Sequence, residues 1–298
     1  MIRRVMGLLT ALGAVVATFV ILPATTASAA ECAAAWNSSS VYTGGGAASY
    51  NGHNWTAQWW TQNETPGSSD VWADQGSCGN GGGTDPGDPG SAADFIVSEA
   101  QFNQMFPGRN SFYTYSGLTA ALDAYPGFAN TGDDTVKKQE AAAFLANVSH
   151  ETGGLVYVVE QNTANYPHYC DSSQPYGCPA GTDAYYGRGP IQLSWNFNYK
   201  AAGDALGIDL LGNPYLVEQD AAVAWKTGLW YWNTQTGPGT MTPHNAMVNG
   251  AGFGETIRSI NGSIECNGGN PDQVQSRINK YQEFVSILGT TPGSNLSC

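Results

Sequence analysis

The stretch Val148-Ser149-His150-Glu151-Thr152-Gly153-Gly154 constrains this chain more than any other. An alanine-rich helical pattern runs into two adjacent glycines there, which ends the helix and leaves the carboxyl of Glu151 in its last turn. Nine residues on, beyond Val156-Tyr157-Val158-Val159, stands a second carboxyl, Glu160. Two carboxyls flanking one bond are the minimal equipment for hydrolysing a glycoside: one protonates the leaving oxygen, the other activates water or attacks. A nine-residue step along one continuous helix would part them by roughly 13 Å, too far for either glycosidase geometry. The Gly153-Gly154 turn is therefore expected to bring Glu160 back and form a cleft with one carboxyl on each wall. Taken alone, a glutamate at a helix end also suits a solvated surface group.

The chain of 298 residues can hold one or two domains, and its composition divides it unevenly. Arg3 and Arg4 precede the apolar run from Val5 to Leu22, and Ala27-Ser28-Ala29 supplies small residues for cleavage, so residues 1–29 read as a secretory signal peptide. A membrane anchor is the rival reading, since the run is nearly long enough to span a bilayer; its Gly and Thr content and the small-residue site favour removal. The mature protein is then expected outside the cell and off the membrane. Eleven Lys and Arg, two of them in this leader, stand against 24 Asp and Glu, which argues against nucleic acid as a partner. Only 12% of residues are charged, while 9 Trp and 15 Tyr offer aromatic faces to neutral ligands such as polysaccharide.

All six cysteines, Cys32, Cys78, Cys170, Cys178, Cys266 and Cys298, follow the leader, where an oxidising compartment permits disulfides. Six cysteines allow 15 pairings. Cys32 and Cys78 bracket a first small module, residues 30–78, rich in Trp, Tyr, Gly and Thr, for which short strands and turns are expected. It is too small for a large core, and a Cys32–Cys78 bridge would supply stability. With no Cys-x-x-Cys and scattered histidines, neither a metal site nor a cofactor is implied. Residues 79–92 are Gly, Asp, Pro, Ser and Thr and read as a flexible linker.

Residues 93–298 carry mostly helical signals. Ser98-Glu99-Ala100-Gln101 is a capping-box pattern ahead of Phe102, Met105 and Phe106. Further helices are expected over Leu118–Tyr125, over Thr135–Glu151 with Ala142, Leu145 and Val148 on one stripe, after Asn213-Pro214, and over Ala221–Trp232. Another is expected after Asn270-Pro271, with Val274, Ile278, Tyr281, Val285 and Leu288 apolar. Residues 152–200 are Gly-, Pro-, Tyr- and Asn-rich, with short strands expected at Val156–Val159 and Gly189–Leu193; so long a segment reads as a functional wall.

Two resemblances sharpen this reading. His150-Glu151-Thr152-Gly153-Gly154, followed by Tyr185-Tyr186-Gly187-Arg188-Gly189-Pro190-Ile191-Gln192-Leu193-Ser194-Trp195-Asn196-Phe197-Asn198-Tyr199, resembles the signature of family 19 glycoside hydrolases, the chitinases with a lysozyme-like fold. The likeness runs in order over about residues 95–298. Tyr50 to Glu64, with Trp55, Trp59 and Trp60, resembles chitin-binding modules of carbohydrate-binding family 5/12. The first resemblance implies an α+β, mainly helical catalytic domain with a cleft, preceded here by a small disulfide-stapled all-β module. It also implies the bridges Cys170–Cys178 and Cys266–Cys298 and an inverting cleavage of β-1,4-linked N-acetylglucosamine polymer.

By that resemblance Glu151 is the general acid, Glu160 the general base, and Ser194 a hydroxyl that helps hold the attacking water. Apolar packing beside Glu151 would favour the protonated form an acid needs, and a more polar wall would keep Glu160 ionised. A nucleophilic serine is disfavoured because no Gly-x-Ser-x-Gly elbow surrounds Ser194. Implied substrate contacts are His150, Gln192, Asn198, Lys226, Asn261 and Arg277, whose amides and cations suit sugar hydroxyls and N-acetyl carbonyls. Arg277 also suits a structural role, holding a carboxylate, and Arg188 reads as a brace of the fold. The segment to Glu160 is shorter than in longer plant members, and Phe197 stands where tyrosine is common. In the module, Trp59 and Trp60, with Tyr42 or Trp55 nearby, are the implied polymer contacts, at least one exposed if they lie on a strand. Trp55 and Trp72 read as mainly core and His53 as structural. The protein is expected to be a monomer acting on chitin and chitooligosaccharides; a non-catalytic chitin-binding lectin and a peptidoglycan hydrolase are the alternatives.

Overall fold

The structure, a computed structural model, describes residues 32–34, 36–37, 40–50, 53–67, 69–78 and 95–298. The expected leader and linker lie outside the described residues. Residues 32–78 belong to one compact unit and 95–298 to another. Among the described residues no helix is long and apolar enough to cross a membrane.

The first unit is built of short antiparallel strands. Strands β1 (Val41–Tyr42) and β4 (Thr61–Gln62) form one pair, and β2 (Ala47–Tyr50), β3 (His53–Ala57) and β5 (Trp72–Ser77) form a sheet with β3 at its centre. Its core is small: Ala48, Ala57, Val71 and Trp72, with Trp36, Tyr42 and Trp55 half-buried against them. Cys32–Cys78 joins its two ends, as expected of a unit with so little apolar area to bury. His53 serves the fold through Asp74, 2.9 Å from its Nδ1. Tyr42 packs edge-on against Trp72 at 5.0 Å between ring centroids, so core packing occupies part of a side chain expected to meet polymer. Trp59 and Trp60 lie on the bend after β3, not on a strand, and both project into solvent instead of alternating between faces.

The second unit is helical. The capping box at Ser98 opens α1 (Glu99–Met105). Thr114 caps α2 (Tyr115–Thr119), so the helix expected over Leu118–Tyr125 starts and ends early, and a separate 3-10 turn, Leu122–Ala124, follows. Helix α3 (Asp134–Thr152) is the central element: Glu140 to Ser149 are buried without interruption, not along a single stripe. Alanine suits that place, because α3 is packed on every side and small side chains let its neighbours approach. Aromatic rings fill the remaining space, with Phe144 5.4 Å from Trp232 and 5.1 Å from Phe128.

Helix α4 (Asn196–Leu206) and the short α5 (Leu216–Gln219) lead to α6 (Ala221–Thr234), capped by Asp220. Helices α7 (Pro243–Val248) and α8 (Phe253–Glu265) precede α9 (Pro271–Ile287), capped by Asn270 and buried along the expected apolar positions. The sequence reading did not anticipate α4, α7 or α8; α7 is short, and in α8 the helical spacing of Phe253, Ile257, Ile260 and Ile264 is interrupted by Asn261-Gly262. The strands expected at Val156–Val159 and Gly189–Leu193 are absent; only the single-residue bridges Val159 to Arg188 and Arg188 to Leu193 form. A few backbone bonds and many side-chain bonds hold the Tyr- and Gly-rich chain there, without extending into a ladder. Cys170–Cys178 and Cys266–Cys298 are both formed.

A buried polar node ties α3 to the elements around it. Glu140, fully buried, accepts from the Ala129 N–H at 2.9 Å, from Trp232 Nε1 at 3.0 Å and from His244 Nδ1 at 2.6 Å. The bond to Glu140 raises the His244 imidazole above its ordinary value, against the opposing effect of burial. A histidine raised on folding stabilises below its unfolded value of about 6.5, and that contribution disappears as pH rises through the folded value. Thermal unfolding should therefore show the parent losing midpoint relative to His244→Gln between pH 6 and 8. Parallel pH curves for the two proteins would remove His244 from the stability balance.

Candidate active site

Glu151 sits in the last turn of α3, and the chain reverses immediately after it. Gly153, Gly154 and Leu155 are all left-handed, with φ of 62°, 83° and 61°. Thr152 secures this turn, its hydroxyl accepting from the Leu155 N–H at 2.7 Å. A side chain at Gly153 would meet the Tyr157 ring at 3.0 Å, so glycine serves both the dihedral and the close approach. Returning chain then pairs with the segment before α4: Glu160 N–H donates to the Gly187 carbonyl and Gly189 N–H to the Val158 carbonyl, each at 2.8 Å. Gly187 leaves room for Glu160, whose Cβ would lie 3.4 Å from an added Cβ. The reversal inferred from Gly153-Gly154 is what brings the two carboxyls to one cavity.

That cavity holds about 440 Å³ and is lined by Glu151 from α3, Tyr231 from α6 and Ile260 and Asn261 from α8. Glu160, Tyr169, Gly187, Ile191, Gln192, Leu193, Ser194 and Asn198 complete it from the facing wall. Gln192 and Trp195 bracket Ser194 with φ of 51° and 75°, conformations unusual for residues with side chains and held here by local bonds. Gln192 Nε2 donates to the Gly189 carbonyl at 3.0 Å, Trp195 N–H to the Tyr185 carbonyl at 2.9 Å, and Asn198 Nδ2 to the Ser194 carbonyl at 3.0 Å.

The two carboxyls have opposite surroundings. Glu151 Oε1 accepts from Arg277 Nη2, so the apolar setting expected for it is not what surrounds it. Arg277 is 1% exposed and also donates to Glu265 from Nε at 2.8 Å and from Nη2 at 2.7 Å, and to Asn147 Oδ1 from Nη1 at 3.1 Å. Burial pushes the Glu265 carboxyl up, but the bonds and charge of Arg277 outweigh it and hold the group below its ordinary value. Asn261 Nδ2 completes the cluster, donating to Glu265 Oε1 at 2.8 Å. Arg277 thus takes the structural role weighed for it, behind the wall and not on it. Glu160, by contrast, accepts from Asn165 Nδ2 at 2.7 Å, Tyr169 Oη at 3.0 Å and the Gly187 N–H at 3.3 Å, all neutral donors.

Gln192, Ser194, Asn198 and Asn261 line the cavity as expected. His150 does not: it borders a separate cavity of about 580 Å³ between the end of α3 and the start of α9, with Ser276 Oγ 3.3 Å from its Nδ1. Successive helix positions point about 100° apart, so His150 and Glu151 cannot share one face. Burial and the nearby Arg277 charge lower the His150 imidazole. Lys226 is half-buried on α6 and is not among the residues lining the first cavity. Arg188 is the expected brace, fully buried, donating to Glu218 at 2.6 Å and Tyr199 Oη at 2.8 Å, with its guanidinium 3.5 Å over the Tyr186 ring. Sequence reading missed Glu265, Asn147, Asn165, Tyr169 and Tyr231. The Tyr and Asn content of 152–200 was the one available signal for Asn165 and Tyr169. Among the described residues no cluster of three or more His, Cys, Asp or Glu side chains is placed to hold a metal ion.

Removing Arg277 would leave Glu265, 2% exposed, as a buried charge with no cation, which costs about 3–5 kcal/mol. Arg277→Met should lower the unfolding midpoint by on the order of 10 °C. Arg277→Met with Glu265→Gln should recover part of that loss. A single variant as stable as the parent in calorimetry would show that the cluster does not hold the site.

The geometry has counterparts. The family model described as chitinase class I, glycoside hydrolase family 19, matches residues 96–298, and that of carbohydrate-binding module family 5/12 matches residues 35–73. Endochitinase A of Zea mays is 44% identical over 211 residues, covering 68% of this chain and 71% of that protein. Chitinase C from Streptomyces griseus HUT6037 is 76% identical over 90% of this chain and all of that one, with a TM-score of 0.68. A bacterial family 19 chitinase is 85% identical over 68% of this chain and all of its own length, also at 0.68. Its family match spans both walls of the cavity and its mainly helical, lysozyme-like fold is shared with these structures, so this chain belongs to glycoside hydrolase family 19, the chitinases, with a family 5/12 carbohydrate-binding module before the catalytic domain.

Proposed function

We propose that this chain is an exported endochitinase that cuts the β-1,4 linkages of N-acetylglucosamine polymer with inversion of configuration. The observation carrying this is the opposed carboxyl pair on two walls of one cavity, Glu151 beside a cation and Glu160 among neutral donors only. Arg277 holds Glu151 facing the cavity from the end of α3, and membership of the family supports Glu151 as the acid that protonates the leaving oxygen. Glu160 accepts from Asn165, Tyr169 and the Gly187 N–H on the facing wall and serves as the base that takes a proton from water. Ser194 and Asn198 border the space between, and the Ser194 hydroxyl steadies that water. The remaining lining is amide, hydroxyl and apolar, suited to an uncharged sugar with N-acetyl groups. Export is supported by the leader pattern and by three disulfides, which persist in oxidising compartments.

An inverting reaction releases the α-anomer first from a β-linked oligomer. Proton NMR in the first minutes of hydrolysis should show α product, and initial β product would sink the mechanism. Glu151→Gln and Glu160→Gln should each lower turnover by about 10²–10⁴, the usual worth of a general acid or base, with unchanged circular dichroism. Near-parental rate in Glu160→Gln would send the search for the base elsewhere.

The module's part follows from exposure. Trp59 and Trp60 are 55% and 61% exposed, so their indoles contribute little to the small core and are free to stack on sugar rings. Aromatic stacking of this kind is worth on the order of 1–3 kcal/mol per ring on nucleic acid, so losing both should weaken binding tenfold or more. Trp59→Ala with Trp60→Ala should reduce retention on insoluble chitin and leave turnover of soluble oligomers unchanged. Parental retention on chitin beads would reject the assignment.

A further inference from the structure

Helix α8 is broken where it meets the cavity. Asn261, at φ −143° and ψ 27°, is non-helical between two helical halves. Sharp breaks arise at Gly and Ser pairs or where a side chain enters the hydrogen-bond ladder. Gly262-Ser263 permits this one. What fixes it is the Tyr231 hydroxyl on α6, which donates to the Ser259 carbonyl at 2.9 Å, two residues before the break. The same turn is gripped from a second side. Ser259 Oγ donates to the Met241 carbonyl at 2.6 Å, and a side chain on Gly237 would lie 1.9 Å from the Ser259 carbonyl oxygen. The chain after α6 therefore closes onto Ser259 at backbone contact.

The break decides what faces substrate. Ile260 and Asn261, the residues at the break, line the cavity, and Asn261 simultaneously donates to Glu265 Oε1. We propose that Tyr231 is a positioning residue for the substrate-facing wall: its hydroxyl pins the Ser259 carbonyl so that the break turns Ile260 and Asn261 toward the bound sugar. This rests on the cavity being the chitin-binding cleft. Burial, then the Glu151 charge, pushes the Tyr231 phenol up to about 12, so the hydroxyl keeps its proton over the whole range in which such an enzyme is assayed. The role concerns substrate binding, because the Tyr231 hydroxyl bonds to the Ser259 carbonyl, whereas Glu151 and Arg277 bond directly to one another.

Steady-state kinetics on a soluble chitin oligomer test this. Tyr231→Phe removes one neutral hydrogen bond, and KM should rise about three- to tenfold while kcat changes less than about twofold. In an Ile260→Ala, Asn261→Ala background, Tyr231→Phe should leave KM within about twofold, because the residues it positions are gone. Ser259→Ala loosens the same turn without touching the carbonyl bond, so it should lower the unfolding midpoint and leave KM alone. An unaltered KM in Tyr231→Phe overturns the role. So does an effect of equal size in the truncated background, which would mean direct contact with sugar, or a KM shift in Ser259→Ala as large as in Tyr231→Phe, which would mean general loosening. A parent chain inactive on chitin oligomers overturns the reaction and this role together, whereas an active parent with any of the three other results overturns the role alone.

Discussion

Arg277 is a cation almost fully removed from water, and a charge so placed costs several kcal/mol unless anions and dipoles surround it. Four of its contacts are visible: two to Glu265, one to Asn147 and one to Glu151. They come from α8 and α3, while Arg277 belongs to α9, so the ion cluster fixes three helices relative to one another. Glu151 gains the most from this. It stands in the last turn of α3, where unpaired carbonyls make the helix end negative and disfavour an anion. A guanidinium at that end offsets the repulsion and gives the carboxyl one orientation, facing the cavity. The position is unfavourable for an ordinary glutamate, and the neighbouring elements are arranged to make it tenable.

The opposite wall is built by other means. No cation touches Glu160 among the described residues; an amide, a phenol and a backbone N–H fill its acceptor sites, and its own backbone carbonyl accepts from Tyr166 Oη at 2.9 Å. Tyr166 stacks on Tyr186 at 3.7 Å, and Tyr186 in turn lies under the Arg188 guanidinium. Charge therefore steadies the Glu160 wall from behind, through rings, without reaching the carboxyl. Two groups of the same chemical type thus differ in their partners, a guanidinium at Glu151 and neutral donors at Glu160.

Much of this was legible in the sequence because it depends on local rules. The cap at Ser98, Asn270-Pro271 and the glycine stop after Thr152 are short-range signals that marked α1, α9 and the end of α3, and a buried aromatic run marked α6. Residues that function by long-range partnership left no trace. Glu265 and Asn147 look like ordinary polar positions until α9 brings Arg277 between them, and Tyr231 looks like one more aromatic on a buried helix. The β-branched run at Val156–Val159 suggested a strand but is held in turns, and Trp59 and Trp60, both exposed, lie beyond the end of β3. His150 was misplaced because adjacency in a motif is not adjacency in space on a helix.

The disulfides show how the irregular parts are kept rigid enough to serve. Cys170 directly follows Tyr169, the phenol on Glu160, and Cys266 directly follows Glu265, the partner of Arg277. One bridge thus clamps the backbone beside the phenol that bonds Glu160, the other beside the carboxyl that pairs with Arg277. Cys266–Cys298 also returns the C-terminus to α8, where the Asn267 N–H donates to the Cys298 carbonyl at 3.0 Å and the Gly254 N–H to the Asn295 carbonyl at 2.8 Å. The loops closed span 8 and 32 residues, so loop-closure entropy gives the first bridge less weight than the second. For Cys170–Cys178 position matters more than entropy: it sits in the long segment without strands, where no ladder could keep Tyr169 against Glu160. Remoteness from Glu151 and Glu160 in sequence is thus a poor guide to whether a bridge bears on the cavity, since Tyr169 alone stands between Cys170 and Glu160, and Glu265 and Arg277 stand between Cys266 and Glu151.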